Sequence, residues 1–133
     1  MDANFYRMFP EQKFAVVKLQ SEKLSAQEAR QLNYEYKADK NYSNIHYLLI
    51  IVDEKCNPDF SVKELEKLSD LYNNEFQINN HKKVVWLVAE PLVTAMAHIF
   101  VSYTNEMYCS TIAKAYELLD MPVTHEEFIN LIQ

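Results

Sequence analysis

The chain has 133 residues, 49% of them apolar and 24% charged, with a formal charge of −6. Those values fit one globular domain over residues 1–133 with a real core, and exclude a disordered or fibrous chain. The acidic balance argues against a sequence-independent grip on nucleic acid, since Lys82-Lys83 is the only adjacent basic pair.

Residues 4–9 and 13–20 read as two strands around Pro10-Glu11-Gln12. A helix over 25–39 follows. It opens on Ser25-Ala-Gln-Glu28, a capping box in which the serine accepts a backbone N–H and the glutamate reaches back. Ala26, Ala29, Leu32 and Tyr36 then recur at helical spacing, and Asn41 to Asn44 end the segment. The continuous apolar run 45–52, IHYLLIIV, predicts a strand covered on both faces. A second box, Ser61-Val-Lys-Glu64, opens a helix over 61–77 with Val62, Leu65, Leu68, Tyr72 and Phe76 inward and Lys63 and Lys67 off that stripe.

Residues 83–89 predict another buried strand. The apolar run from Val84 to Val101 approaches the length of a membrane span, but Glu90-Pro91 interrupts it. Strand, turn and a helix over 91–104 with proline in its first turn fit it better, so no membrane span is expected. Residues 107–109 form a short edge strand, a helix occupies 111–120 after Thr111, and Thr124-His-Glu-Glu127 opens a last short helix. Strands alternating with helices predict an α/β fold: a mixed, mostly parallel sheet of four to five strands with an initial antiparallel strand and helices packed on it.

There is no glycine, so every glycine-rich phosphate loop is missing and no cofactor is expected. Cys56 and Cys109 have neither metal nor redox spacing, and the sequence leaves a disulfide between them open. The four histidines, His46, His81, His98 and His125, make no i,i+4 pair, so no metal site is expected. The start, MDANFYRMF, has no basic segment followed by an apolar run; no signal peptide and a reduced, cytoplasmic setting are the expectation.

Four stretches together resemble the STAS domain (sulfate transporter and anti-sigma-factor antagonist), and most closely the STAS-like proteins of Bacteroides-type bacteria. They are LLIIVD (48–53), DFSVKELEKL (59–68), VVWLVAEPLVTAMAHIF (84–100) and YCSTIAKAYELL (108–119). The resemblance covers most of the chain from residue 13 onward. It implies a non-enzymatic bacterial module whose output is binding to a protein partner, in regulation. In that family a serine in an Asp-Ser-Ser-Gly stretch at the second helix is phosphorylated to break a protein–protein contact. Carried over, Ser61 takes the phosphoacceptor position and Asp59 the acid two residues before it. Phe60 replaces the family's first serine and Val62 its glycine, which argues against carrying the phosphoswitch over.

Each candidate has a plainer reading beside it. Ser61 is explained by its capping box alone. Asp53, Asp59 and Glu90 fall at or beyond the carboxyl ends of predicted parallel strands, where open α/β sheets bind ligands. Acids at helix N-termini also occur there without function. In helix 91–104 the residues Leu92, Met96, Ile99, Phe100 and Tyr103 give more apolar surface than one sheet needs. Three readings follow: a helix wedged between sheet and C-terminal helices, a homodimer face, or the lining of a pocket for a small apolar, lipid-like ligand as in CRAL-TRIO carriers. The last makes a lipid carrier the alternative function.

Overall fold

The computed structural model describes residues 4–59, 63, 64, 67, 83–88 and 107–133. Strands β1 (Phe5–Phe9) and β2 (Phe14–Leu19) form an antiparallel pair in which Phe5 faces Lys18 and Phe9 faces Phe14. Pro10–Gln12 between them is a single 3-10 turn that ends with Lys13 in the left-handed region at φ 54°. Its N–H donates to the Pro10 carbonyl at 3.1 Å, so a lysine closes a turn that glycine would close more cheaply. From β2 the sheet grows in chain order through β4 (Tyr47–Val52), β6 (Lys83–Val88) and β7 (Met107–Cys109), every one parallel to its neighbour. The sheet is thus five-stranded, with order β1-β2-β4-β6-β7.

Two short strands stand apart from this sheet. β3 (Lys23–Ser25) and β5 (Asn57–Asp59) pair in parallel with each other, Leu24 beside Pro58 and Ser25 beside Asp59. The segments that leave β2 and β4 are thereby tied together before either chain goes on.

Helix α1 (Ala26–Ala38) covers one face of the sheet. Leu32 and Tyr36 are buried against Ala15, Val17, Leu48, Ile50 and Val52, with Ala29 partly buried beside them. On the opposite face lie α2 (Ile112–Leu119) and α3 (His125–Ile132), whose Ala115, Leu119, Phe128 and Ile132 meet Phe14, Val16, Leu49, Val85 and Leu87. Alternate residues of β4 therefore enter two different cores, which is why IHYLLIIV shows no polar alternation. Cys56 lies in the first core and Cys109 in the second; both are free thiols, and the sheet stands between them. The disulfide left open by the sequence does not form.

Three of the expected helix caps form, and the fourth, at Ser61, lies outside the described residues. Ser25 and Glu28 form the complete box, while Thr111 accepts the Lys114 N–H and Thr124 the Glu127 N–H, both at 3.1 Å. Helix α2 stops at Asp120, left-handed at φ 50°, one residue before the Met121-Pro122 break. Among the described residues no helix is long and apolar enough to cross a membrane. The Val84–Val101 run begins as strand β6, as expected; its remainder lies outside the described residues.

Candidate functional site

The parallel strands β2, β4 and β6 end together, and the chain leaving them builds a polar edge there. The Asp53 N–H donates to the Leu19 carbonyl at 2.9 Å and locks the exit of β4 to that of β2. Asp53 Oδ1 accepts the Lys55 N–H at 2.9 Å, and its carbonyl accepts the Cys56 N–H at 2.9 Å. This is an Asx turn, the local use that short acids make of a tight bend where glycine is absent.

Beside it, Asn4 acts as a clamp. Its Oδ1 accepts the N–H groups of Gln20 and Ser21 at 2.8 and 3.1 Å, and its Nδ2 donates to Ser21 Oγ and Glu28 Oε2 at 3.1 and 3.5 Å. Glu28 also accepts from Ser25 Oγ at 3.1 Å and from the Ser25 N–H at 3.4 Å. One network thus joins the chain before β1, the loop after β2 and the first turn of α1. Leu24 beneath it is buried in the same core as Ala29, the packing that fixes the entry angle of a capped helix.

Under this edge lies Cys56, fully buried. Burial pushes its thiol up to about 11, with the nearby charges of Asp53 and Glu28 adding to the rise. The thiol is protonated at neutral pH and is a packing group rather than a nucleophile.

The predicted site residues divide as follows. Asp53 is at the carboxyl end of β4, as expected, with its carboxylate engaged in the turn. Asp59 does not sit in a free loop: it is the last residue of β5, in register with Ser25, the N-cap of α1. The acid-x-serine stretch therefore begins beside another helix start. Lys63, Glu64 and Lys67 just beyond it are helical and exposed, which agrees with the two lysines lying off the inward stripe. Ser61, Val62, Glu90, Leu92, Met96, Ile99, Phe100 and Tyr103 lie outside the described residues. Among the described residues no group of three His, Cys, Asp or Glu side chains is placed to hold a metal ion.

Sequence reasoning missed Asn4, Ser21 and the β3–β5 pair. Three-residue strands carry no usable alternation, and Pro58 inside one argues against a strand unless it lies at an edge. The one available signal was Leu24, an apolar residue immediately before a capping serine. The network makes a stability prediction. Ser25→Ala should cost about 1 kcal/mol in urea unfolding, whereas Ser25→Asp should stay within a few tenths, about 0.3 kcal/mol, because aspartate caps equally well.

No family model matches the chain, and neither does a curated protein or a solved structure.

Proposed function

We propose that the chain is a cytoplasmic, non-enzymatic protein-interaction module with a regulatory role, of the kind STAS-like domains provide in bacteria. The surface that carries it is the polar edge where β5 leads toward Ser61. The observation that supports this reading most is the β3–β5 pair. It ties Asp59 to the N-cap of α1, so the segment entering the acid-x-serine helix starts from a braced position. A strand end braced in this way, with the helical residues Lys63, Glu64 and Lys67 exposed shortly after it, suits recognition by a protein partner. The potential chemical groups at this edge have other work: Asp53 closes a turn, and Cys56 is buried and protonated.

In this reading Ser61 is a helix cap and its position is the recognition site; Val62 in place of glycine keeps the family's phosphoswitch out. The test is a photo-crosslinking amino acid introduced in the producing cell at Lys63 or Lys67, and at the exposed Glu117 of α2 as control. One partner should be captured from the first two positions and not from the third. Ser61→Asp and Ser61→Ala should both retain that capture, with Ser61→Ala alone losing about 1 kcal/mol of stability. Loss of capture in Ser61→Asp only would install the switch. Turnover abolished by Asp53→Ala, or a lipid carried through purification and seen in the native mass spectrum, would replace the reading with an enzyme or a carrier.

A further inference from the structure

The end strand β1 and its neighbour β2 carry only two charged residues, Arg7 and Lys18, and both are cations in a chain of formal charge −6. They share a face. Phe5 and Arg7 alternate along β1, and Lys18 faces Phe5 across the pair. The Arg7 guanidinium lies 5.3 Å from the Phe5 ring centroid and the Lys18 ammonium 5.8 Å from it, so two like charges share one aromatic ring. Arg7 is exposed and Phe5 and Lys18 are half-buried.

Among the described residues no Asp or Glu side chain pairs with either cation; the salt bridge found there joins Lys114 and Glu117. Arg7 spends one N–H on the Gln133 carbonyl at 3.0 Å and retains further donors in its guanidinium fork. Burial, and then the nearness of Arg7, lower the Lys18 pKa, as expected of a cation desolvated beside its like. The outer edge of β1 meets no further strand among the described residues, so its backbone donors and acceptors face outward.

We infer that the β1 edge is a docking edge for an extended, acidic polypeptide segment of a partner protein, which adds a strand beside Phe5–Phe9 and sets alternate carboxylates against Arg7 and Lys18. Three features of the edge select this occupant. A strand edge offers main-chain groups that only another polypeptide matches in register. Alternate side chains of an added strand fall on one face, which is how Arg7, Phe5 and Lys18 are arranged. A second copy of this chain is the wrong partner. Two-fold antiparallel pairing through β1 keeps both sets of cations on one face, and when centred on Arg7, the middle of β1, it sets Arg7 against its own copy. The pair of cations thus protects the edge against self-association while leaving it open to an acidic strand. This edge is formed by β1 and not by β5, and the inference does not rest on the reading proposed for Ser61.

The probe is a synthetic peptide alternating glutamate with valine, titrated into the full chain and followed by amide NMR. Shifts should concentrate on residues 5–9 and 18 and weaken at high salt. Arg7→Ser combined with Lys18→Thr should reduce affinity by about tenfold with the amide spectrum otherwise unchanged. Methylating alternate backbone nitrogens of the peptide should abolish binding while its charge stays the same. A lysine–valine peptide binding as well as the acidic one would overturn the inference. So would unaltered binding of the methylated peptide, or no shift at β1. A thymidine oligonucleotide producing the same shifts with higher affinity would reassign the cations and Phe5 to nucleic acid.

Discussion

Phe128→Ala is expected to cost about 3–5 kcal/mol in urea unfolding, the largest loss of any single truncation discussed for this chain. Phe128 is fully buried, with Phe14 at 6.0 Å and Tyr116 at 5.4 Å between ring centroids. It thus joins three elements at one point: the sheet through β2, helix α2, and its own helix α3. Phe14 extends the group to Phe9, stacked at 5.9 Å. Tyr116 is held from the other side, since its hydroxyl donates to the Val123 carbonyl at 2.7 Å. A fixed neighbour cannot collapse into the space left by a missing ring, so the cavity term comes on top of the lost transfer energy. Domains of this size have total stabilities of about 5–15 kcal/mol, so the loss is a large fraction of the whole. Ile112→Ala is the contrast: with 41% of Ile112 exposed, it should change stability by no more than about 0.5 kcal/mol. A small loss for Phe128→Ala would mean that α3 is not docked on the sheet, and the Arg7–Gln133 contact at the end of that helix would go with it.

What the sequence made legible follows from which interactions are local. IHYLLIIV and KVVWLV announced buried strands because each must fill two cores at once, and the burial of Leu48, Leu49 and Ile50 on alternating faces is the physical reason. Ser25, Thr111 and Thr124 were legible as helix starts because a cap is a contact between residues three apart. The face on which each helix packs is set by the sheet as a whole, and no local pattern in α1 or α3 encodes it. The left-handed residues were equally hidden. Glycine would have marked them, and here Lys13 and Asp120 take those positions instead. The candidate site follows the same division. Asp53 at the end of β4 was readable because the strand was. Asp59 beside Ser25 was not, since that juxtaposition rests on a pairing between segments more than thirty residues apart in the chain. The acid at the end of β4 was therefore placed correctly, without revealing how the edge around it is built.

Cys56 gives the second large expected effect, and it bears on function directly. An ordinary thiol has a pKa near 8.5, whereas burial first, and then Asp53 and Glu28, push Cys56 up to about 11. At about pH 8 its thiolate fraction should be lower than that of an exposed cysteine by about a hundredfold or more, and alkylation should slow at least in proportion. Cys109 should react first. Burial raises its pKa too, but Thr111 and the charge of Lys114 partly offset the rise. Peptide mapping after timed iodoacetamide treatment separates the two thiols. The same shift has a stability consequence. The folded state holds the proton more tightly than the unfolded chain, so this contribution is fully present below about pH 8.5 and is lost as pH rises toward about 11. Over that window the stability advantage of the wild type over Cys56→Ala should shrink by about 3 kcal/mol, the comparison cancelling the tyrosines and lysines that titrate in the same range. Rapid labelling of Cys56 would mean that the polar edge above it opens readily. The bracing that ties Asp59 to α1 would then be transient, and a thiolate beside Asp53 would return to consideration as a reactive group. Slow labelling with a falling alkaline advantage is what the proposed recognition reading requires of this edge.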